Sequence, residues 1–505
     1  MLPSSTSNSI SDQQGLASFA AFVIYNIFFH PLARFPGPLL YRATRFPYSS
    51  KLLRGKLPFA MLDLHRKYGP IVRIAPNELS ISDPQAWKDI CGHRVGAAAG
   101  QEENAKWLPF YRPTAMPPSI ITEDKEGHAM LRRQLAHGFS ESAMRAQEPI
   151  IGGYLDLLVR RLREHAVDGD RKDAVTGLPT KRVLDMTAWY NWTTFDIIGD
   201  LAFGEAFGSL ERAKYDPWVK AINTNFRVQT LVFASKFLGL SDLVLVVARA
   251  IGTLIGRKDD HVKRTGDMLR RRMALDVERP DLIEGLLKKK DEWSIDFGRL
   301  HMNAAVLIVA GSETTATLLS GVTYMLLKHP EALKRVTEEV RSSFQSDDEI
   351  TLTSVGNLSY MLACLNEGLR IYPPVAGGLP RITPRGGATI LGEFIPGNTV
   401  MTIFQWALYH NEKYWTDPFG FHPERFLNDP KFAHDRFDAL QPFSFGPRNC
   451  IGRNLAYAEM RLILARILFN FDMHLVDGGK DWLDQPAYVL WDKHPLDVYL
   501  TPVER

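Results

Sequence analysis

The chain has 505 residues, with 60 Lys plus Arg against 57 Asp plus Glu, a net charge of +3, and 45% hydrophobic residues. That balance excludes a disordered or collagen-like chain, and basic runs such as Arg270 to Arg272 and Lys288 to Lys290, free of interleaved aromatics, read as solvated faces or docking sites for an acidic partner rather than a nucleic-acid surface. The three cysteines, Cys91, Cys364 and Cys450, stand too far apart for a zinc finger or a disulfide framework and suit a reducing compartment.

Residues 1–33 hold no Lys or Arg, and Leu16 to Phe29 is apolar or small except for Asn26. At about 1.5 Å per residue this stretch covers roughly 21 Å, short of a ~30 Å hydrocarbon core, and extending it from Gly15 to Leu32 suffices for a thin membrane. No basic residue precedes it, which argues against a secretory signal. The expectation is a tail and membrane anchor over 1–33. Arg34, Arg42, Arg45, Lys51, Arg54 and Lys56 follow and would keep the rest of the chain in the cytosol. His30-Pro31 and Phe35 to Pro38 read as a stiff, non-helical linker, and residues 34–56 as a Pro-rich, basic linker.

Residues 57–505 show no internal linker and read as one domain. Strand-like alternation falls at 71–74 and 79–82, then helical periods occupy 128–145, 147–166, 184–207, 216–256, 257–276, 294–328, 330–344, 355–371 and 453–470, with further strand signal at 388–403. The fold class expected is mainly α with small β-sheets (α+β). Residues 302–327 carry one charge, Glu313, and could pass for a second membrane span. A carboxylate beside Gly311, Ser312 and Thr314 fits better in a buried helix with a distorted turn lining a polar notch. The letters Asn191-Trp-Thr form a glycosylation sequon that a cytosolic domain would leave unmodified.

The chemistry concentrates where Phe443, Gly446, Arg448, Cys450 and Gly452 precede a helix. A thiol at a helix N-terminus is expected to have a lowered pKa and to act as ligand or nucleophile. Gly446 and Gly452 would admit a flat, bulky group, and Arg448 would meet an anionic substituent.

This pattern resembles the haem-binding loop of the cytochrome P-450 haem-thiolate monooxygenases. Three further matches stand in that family's order: Ala310 to Thr315, the oxygen motif of the long central helix; Glu367 and Arg370; and Pro423 to Phe426, whose Arg425 completes a Glu-Arg-Arg cluster that reads as structural. The opening from Tyr25 to Pro38 is similar to fungal microsomal members. The resemblance implies a haem b with Cys450 as axial thiolate and metal ligand, and propionate contacts from His128, Arg132, Arg381 and Arg448. It also implies proton delivery through the acid–alcohol pair Glu313 and Thr314. Electrons would come from NADPH through a reductase, with cytochrome b5 as a second donor, at the cytosolic face of the endoplasmic reticulum. The substrate would be a hydrophobic terpenoid, polyketide or alkaloid scaffold, walled by the 92–125 loop, the 203–250 region with Phe226, Phe233, Leu238 and Leu240, the Ala304–Thr315 face, and Val375 to Leu379. The alternative is a non-catalytic haem-binding sensor; a cysteine-nucleophile hydrolase lacks a His and carboxylate near Cys450.

Overall fold

The computed structural model describes residues 14, 17–94, 100–112, 117–172, 179–215, 217–240, 256–275, 278–476 and 481–504. Six long helices position the site: α1 (Lys125–Gly138), α2 (Glu141–Ala166), α3 (Met186–Phe203), α4 (Phe297–Lys328), α5 (Ser359–Ile371) and α6 (Arg453–Asn470). Expected and observed helices correspond closely. The 128–145 pattern divides into two because Ser140 caps α2, its hydroxyl accepting from the Ala143 N–H. Asp185 and Asp296 cap α3 and α4 in the same way.

Helices α3 and α4 are the central pair. Nearly every residue of α3 is buried, so it carries no polar stripe, and its residues pack along α4. Gly311 makes this approach possible: a Cβ there would stand 2.7 Å from Ile198 Cδ1. The Thr194 hydroxyl donates to the Ser312 carbonyl across the same seam at 3.1 Å. Contrary to the distorted turn expected at Gly311, α4 runs without a break; the Ser312 and Thr314 hydroxyls bond back to the carbonyls of Ile308 and Ala310, which keeps both polar groups satisfied within the helix. α4 is apolar and long enough to cross a membrane, yet most of it is buried in the protein, as expected of a core helix.

A five-stranded sheet lies beside the helices. Ile71–Ala75 pairs antiparallel with Glu78–Ile81, Val400–Thr402 joins the latter in parallel, and Arg381–Ile382 and Ala105–Lys106 complete it. A second sheet of Phe471–Leu475, Asp497–Pro502 and Val183–Asp185, which the sequence pattern did not reveal, brings the C-terminal segment against the start of α3.

The stretch from His30 to Pro38 is non-helical, as expected, and two short helices, Leu39–Ala43 and Phe46–Leu53, follow it within the linker. Pro38 and Pro47 stand at their first turns, where a missing N–H costs nothing. Leu32, Phe35, Tyr48 and Leu52 are buried, and a Cβ on Gly37 would meet the Arg73 carbonyl at 2.3 Å, so this stretch is packed onto the body. Ala17–Phe29 is helical, and its Asn26 is tied down from both sides: its amide donates to the Ala43 carbonyl at 3.0 Å and its carbonyl accepts from Arg73 at 2.8 Å. Of the basic residues expected to face the cytosol, Arg42 and Arg45 are engaged with the Ile27 and Ala33 carbonyls and with Glu78. Arg272, expected on a solvated face, is buried between Asp281 and Glu284, each at 2.6 Å.

Candidate functional site

The loop before α6 is shaped by Gly446. Its φ is +77°, and a Cβ there would lie 1.9 Å from the Cys91 carbonyl oxygen. The close approach this glycine allows is therefore to the protein's own backbone at Trp87–Cys91. The Cys450 N–H donates to the Phe443 carbonyl at 2.8 Å, closing the loop and presenting the thiol just ahead of α6.

Cys450 is solvent-accessible, but enough protein surrounds it for burial to push its pKa up, against the lowering expected at a helix start. The Gly452 N–H and the charges of Arg132 and Arg453 act downward, and burial outweighs them. A metal ion in contact with the sulfur would supply the missing positive charge. Cys364 is buried and pushed well up, and Cys91 is pushed up by burial against the pull of Arg381, so neither is activated.

Four expected site residues converge near the loop. Arg132 donates to the Asn449 carbonyl at 2.7 Å and to the Asn449 side chain. Arg448 donates to the Glu123 carbonyl and to Glu103, both at 2.9 Å. Arg381 is buried with its Nε–H unpartnered among the described residues. His128 is lowered to about 3 by burial first and then by Arg448, Lys106, Arg132 and Arg381, so all five side chains share one electrostatic neighbourhood. Lys106, opposite Arg381 in the sheet, was not anticipated. Burial and the charges of Arg381 and Arg448 push it well below its ordinary value. A lone lysine in a two-residue strand offers no motif by which to find it.

A cradle holding this excess of buried positive charge, with one donor unfilled, fits a dianionic group, and a thiol beside Arg132 fits a soft metal. Both are properties of haem, whose propionates would meet the cradle and whose iron would meet Cys450. Glu103 is the one carboxylate paired with the cradle's cations among the described residues.

Thr314 is half-buried, while Ala310, one turn before it, is exposed among buried and half-buried neighbours, marking the cleft face of α4. Glu313 points elsewhere: its carboxylate forms an ion pair with Lys493 at 2.5 Å, and both side chains are buried. Thr315 bonds Glu459 of α6, a carboxyl raised to about 8 by burial, which holds the α4 turn over the helix that follows Cys450. Phe233, expected to wall a pocket, packs instead with Tyr48, Leu52 and Met61 and stacks on Phe110 at 5.2 Å. The Phe226 side chain and residues 241–250 lie outside the described residues.

The Glu-Arg-Arg cluster forms as expected. Arg370 grips Glu367 with bonds of 2.8 and 2.7 Å, Arg425 stands 3.3 Å from Glu367, and the unanticipated Asp435 pairs with Arg425, all with fully buried side chains.

Residues 36–498 match the family model for cytochrome P-450. The chain is 51% identical to the cytochrome P-450 monooxygenase tpeC of Talaromyces stipitatus, covering 95% of this chain and 92% of that protein. It is 45% identical to the monooxygenase prhB of Penicillium brasilianum, over 95% and 96% of the two chains. It is 43% identical to the trichothecene C-15 hydroxylase of Fusarium sporotrichioides, over 98% of each.

Proposed function

The chain belongs to the cytochrome P-450 family, and on that premise we propose that this haem-thiolate monooxygenase oxidises an apolar scaffold in fungal specialised metabolism, with Cys450 as the iron ligand. The observation that carries the site assignment is the thiol beside Arg132, next to a cradle of buried cations with an unfilled donor. The haem, when bound, supplies dioxygen activation and the transfer of one oxygen atom, with electrons from NADPH through a reductase.

The protein's own residues hold and protonate. Cys450 anchors the iron, and His128, Arg132, Arg381 and Arg448 face the propionates with the two negative charges they require. Thr314, on the cleft side of α4, passes a proton to the reacting oxygen, and Glu313 recharges it. The substrate class is a hydrophobic terpenoid, polyketide or alkaloid skeleton; the trichothecene hydroxylase among the relatives supports the first of these.

The catalytic domain sits at the cytosolic face of the endoplasmic reticulum, where cytochrome b5 is a second electron donor. Support for a membrane surface comes from Phe19, Phe22, Phe28, Phe29, Leu39, Leu40 and Phe46, all large, apolar and exposed on the N-terminal helices.

The test is incorporation of label from isotopic dioxygen into a scaffold chosen by its substrate-induced spin shift, with reductase and NADPH present. One labelled atom per product is expected, and Thr314→Ala is expected to lower product formation about 100-fold. Product without label would overturn the monooxygenase reading.

A further inference from the structure

The cleft face of α4 is covered at one end and open at the other. Asn303 stands seven residues before Ala310 and eleven before Thr314, separations of two and three helical turns to within about 20°, so the three share one face. Asn303 is fully buried, Ala310 is exposed and Thr314 is half-buried. What covers Asn303 is the turn at residues 119–123, about 10 Å along the helix from Ala310. The turn is stiff in itself. Pro117 and Pro118 lead into it, the Ser119 carbonyl accepts from the Thr122 and Glu123 N–H groups at 2.8 and 2.9 Å, and the Thr122 hydroxyl accepts from the Ser119 N–H at 2.9 Å. It is gripped from two sides. On α4, Asn303 Oδ1 accepts from the buried Ile120 N–H at 2.8 Å, and Arg299 pairs with the Glu123 carboxylate. The Asn303 amide donates back to the Arg299 carbonyl at 2.8 Å, which fixes the direction of its acceptor. On the cradle side, Lys106 Nζ donates to the Ile121 carbonyl at 2.7 Å and Arg448 to the Glu123 carbonyl at 2.9 Å.

One short turn therefore ends the open part of the cleft and rests on two cations of the cradle. A dianion there acts on the cradle-side bonds. While the cradle is empty, burial and the charges of Arg381 and Arg448 hold Lys106 well below its ordinary value, which weakens it as a donor to Ile121. Carboxylates beside Lys106 favour its ammonium form, and a hydrogen bond from a charged donor is roughly twice as strong as one from a neutral donor.

Resting on the monooxygenase reading above, we propose that the turn at 119–123 couples the cofactor carboxylates to the substrate cleft, which it walls at the Asn303 end, and that Asn303 is its positioning residue. With the cradle filled, Lys106 and Arg448 fix the turn and the cleft stops there. With the cradle uncharged, the turn is held by α4 alone and the wall yields to a long guest. The loaded enzyme thus selects a compact ring scaffold over an extended chain. Such coupling is reciprocal, so a guest pressed against the wall weakens haem retention by the factor by which the carboxylates weaken that guest's binding.

The test uses the full chain loaded with haem or with haem dimethyl ester, which has the same ring and iron and no carboxylate charge. Its probes are imidazole, which fits beside the iron, and N-biphenylylimidazole, a rigid rod extending from it, each titrated by the shift of the haem absorption band. In the parent, the ester is expected to raise affinity for the rod relative to imidazole at least fivefold over that with haem. Asn303→Ala is expected to show the raised ratio with either cofactor, the two differing less than twofold. A residue that only supports the fold would shift the ratio and leave the effect of the ester intact. An equal effect of the ester in parent and N303A, or none in the parent, overturns the proposal. If N303A fails to fold, amide hydrogen exchange across residues 119–123 of the parent decides: haem should slow it at least fivefold more than the ester does, and equal slowing overturns the proposal. Absence of the thiolate–haem band from the parent would defeat the monooxygenase reading instead, whereas a normal band with no effect of the ester defeats the coupling alone.

Discussion

Two buried clusters of charge sit within this chain and are built on opposite principles. Glu367, Arg370, Arg425 and Asp435 are balanced, two acids against two guanidiniums. Arg370's remaining donors end on the carbonyls of Tyr409, Pro418 and Gly420, and Arg425 reaches the Thr416 carbonyl. Arg132, Arg381, Arg448 and Lys106 form the other cluster around His128, which burial and these cations keep neutral; Glu103 is the paired acid among the described residues and one guanidinium donor is unfilled. Buried charge that is satisfied internally holds a fold together, and buried charge left in excess is a binding site awaiting its counterion.

The largest effect that distinguishes the two belongs to the balanced cluster. Glu367→Ala leaves buried Arg370 without an acid and Arg425 with Asp435 alone, and is expected to cost about 3–5 kcal/mol, read as a fall in the denaturant midpoint of the haem-free chain. Equal stability to the parent would break the contrast.

Acid titration is next. His410, beside Arg370, and His128, in the cradle, are both lowered to about 3, chiefly by burial. Below pH 6.5 the unfolded chain binds protons that the folded chain refuses, so stability is lost as pH falls. Between pH 6.5 and 5 the loss is about 2 kcal/mol per imidazole. His410→Gln and His128→Gln should each flatten that slope in the haem-free chain. Haem should flatten only the part due to His128, since its carboxylates offset the surrounding cations.

The smallest expected effect is in the cradle. Arg381→Leu removes one of several like charges, so the haem-free chain should keep or gain stability, while haem passes to a competing haem-binding protein about tenfold faster. That factor corresponds to roughly 1.4 kcal/mol, at the low end for a charged hydrogen bond. A destabilised haem-free chain with unchanged haem retention would reverse the assignment of Arg381.

What could be read from the letters was local. Helix periods, the Cys450 loop and the Glu367, Arg370 and Arg425 motifs are short patterns whose spacing is set by one turn or one loop, and all of them are where the sequence puts them. Partners from distant segments were not legible. A buried Glu313 demands a cation, but nothing local designates Lys493; Lys106, Asp435 and Glu459 are ordinary letters until the chain folds. The two short helices of the linker were hidden for a different reason: proline breaks a helix from within but starts one well, and Pro38 and Pro47 both stand at starts. Asn191 shows the same limit, since its sequon lies inside a buried helix where its amide donates to the Tyr215 hydroxyl.

The central claim is that the Cys450 thiolate holds a haem iron, and the most direct measurement is the carbon-monoxide difference spectrum of the reduced, purified full-length protein. The thiolate–haem band should appear in the parent and vanish in Cys450→Ala. A band that survives in that variant, or a folded parent that binds no haem, would contradict the account.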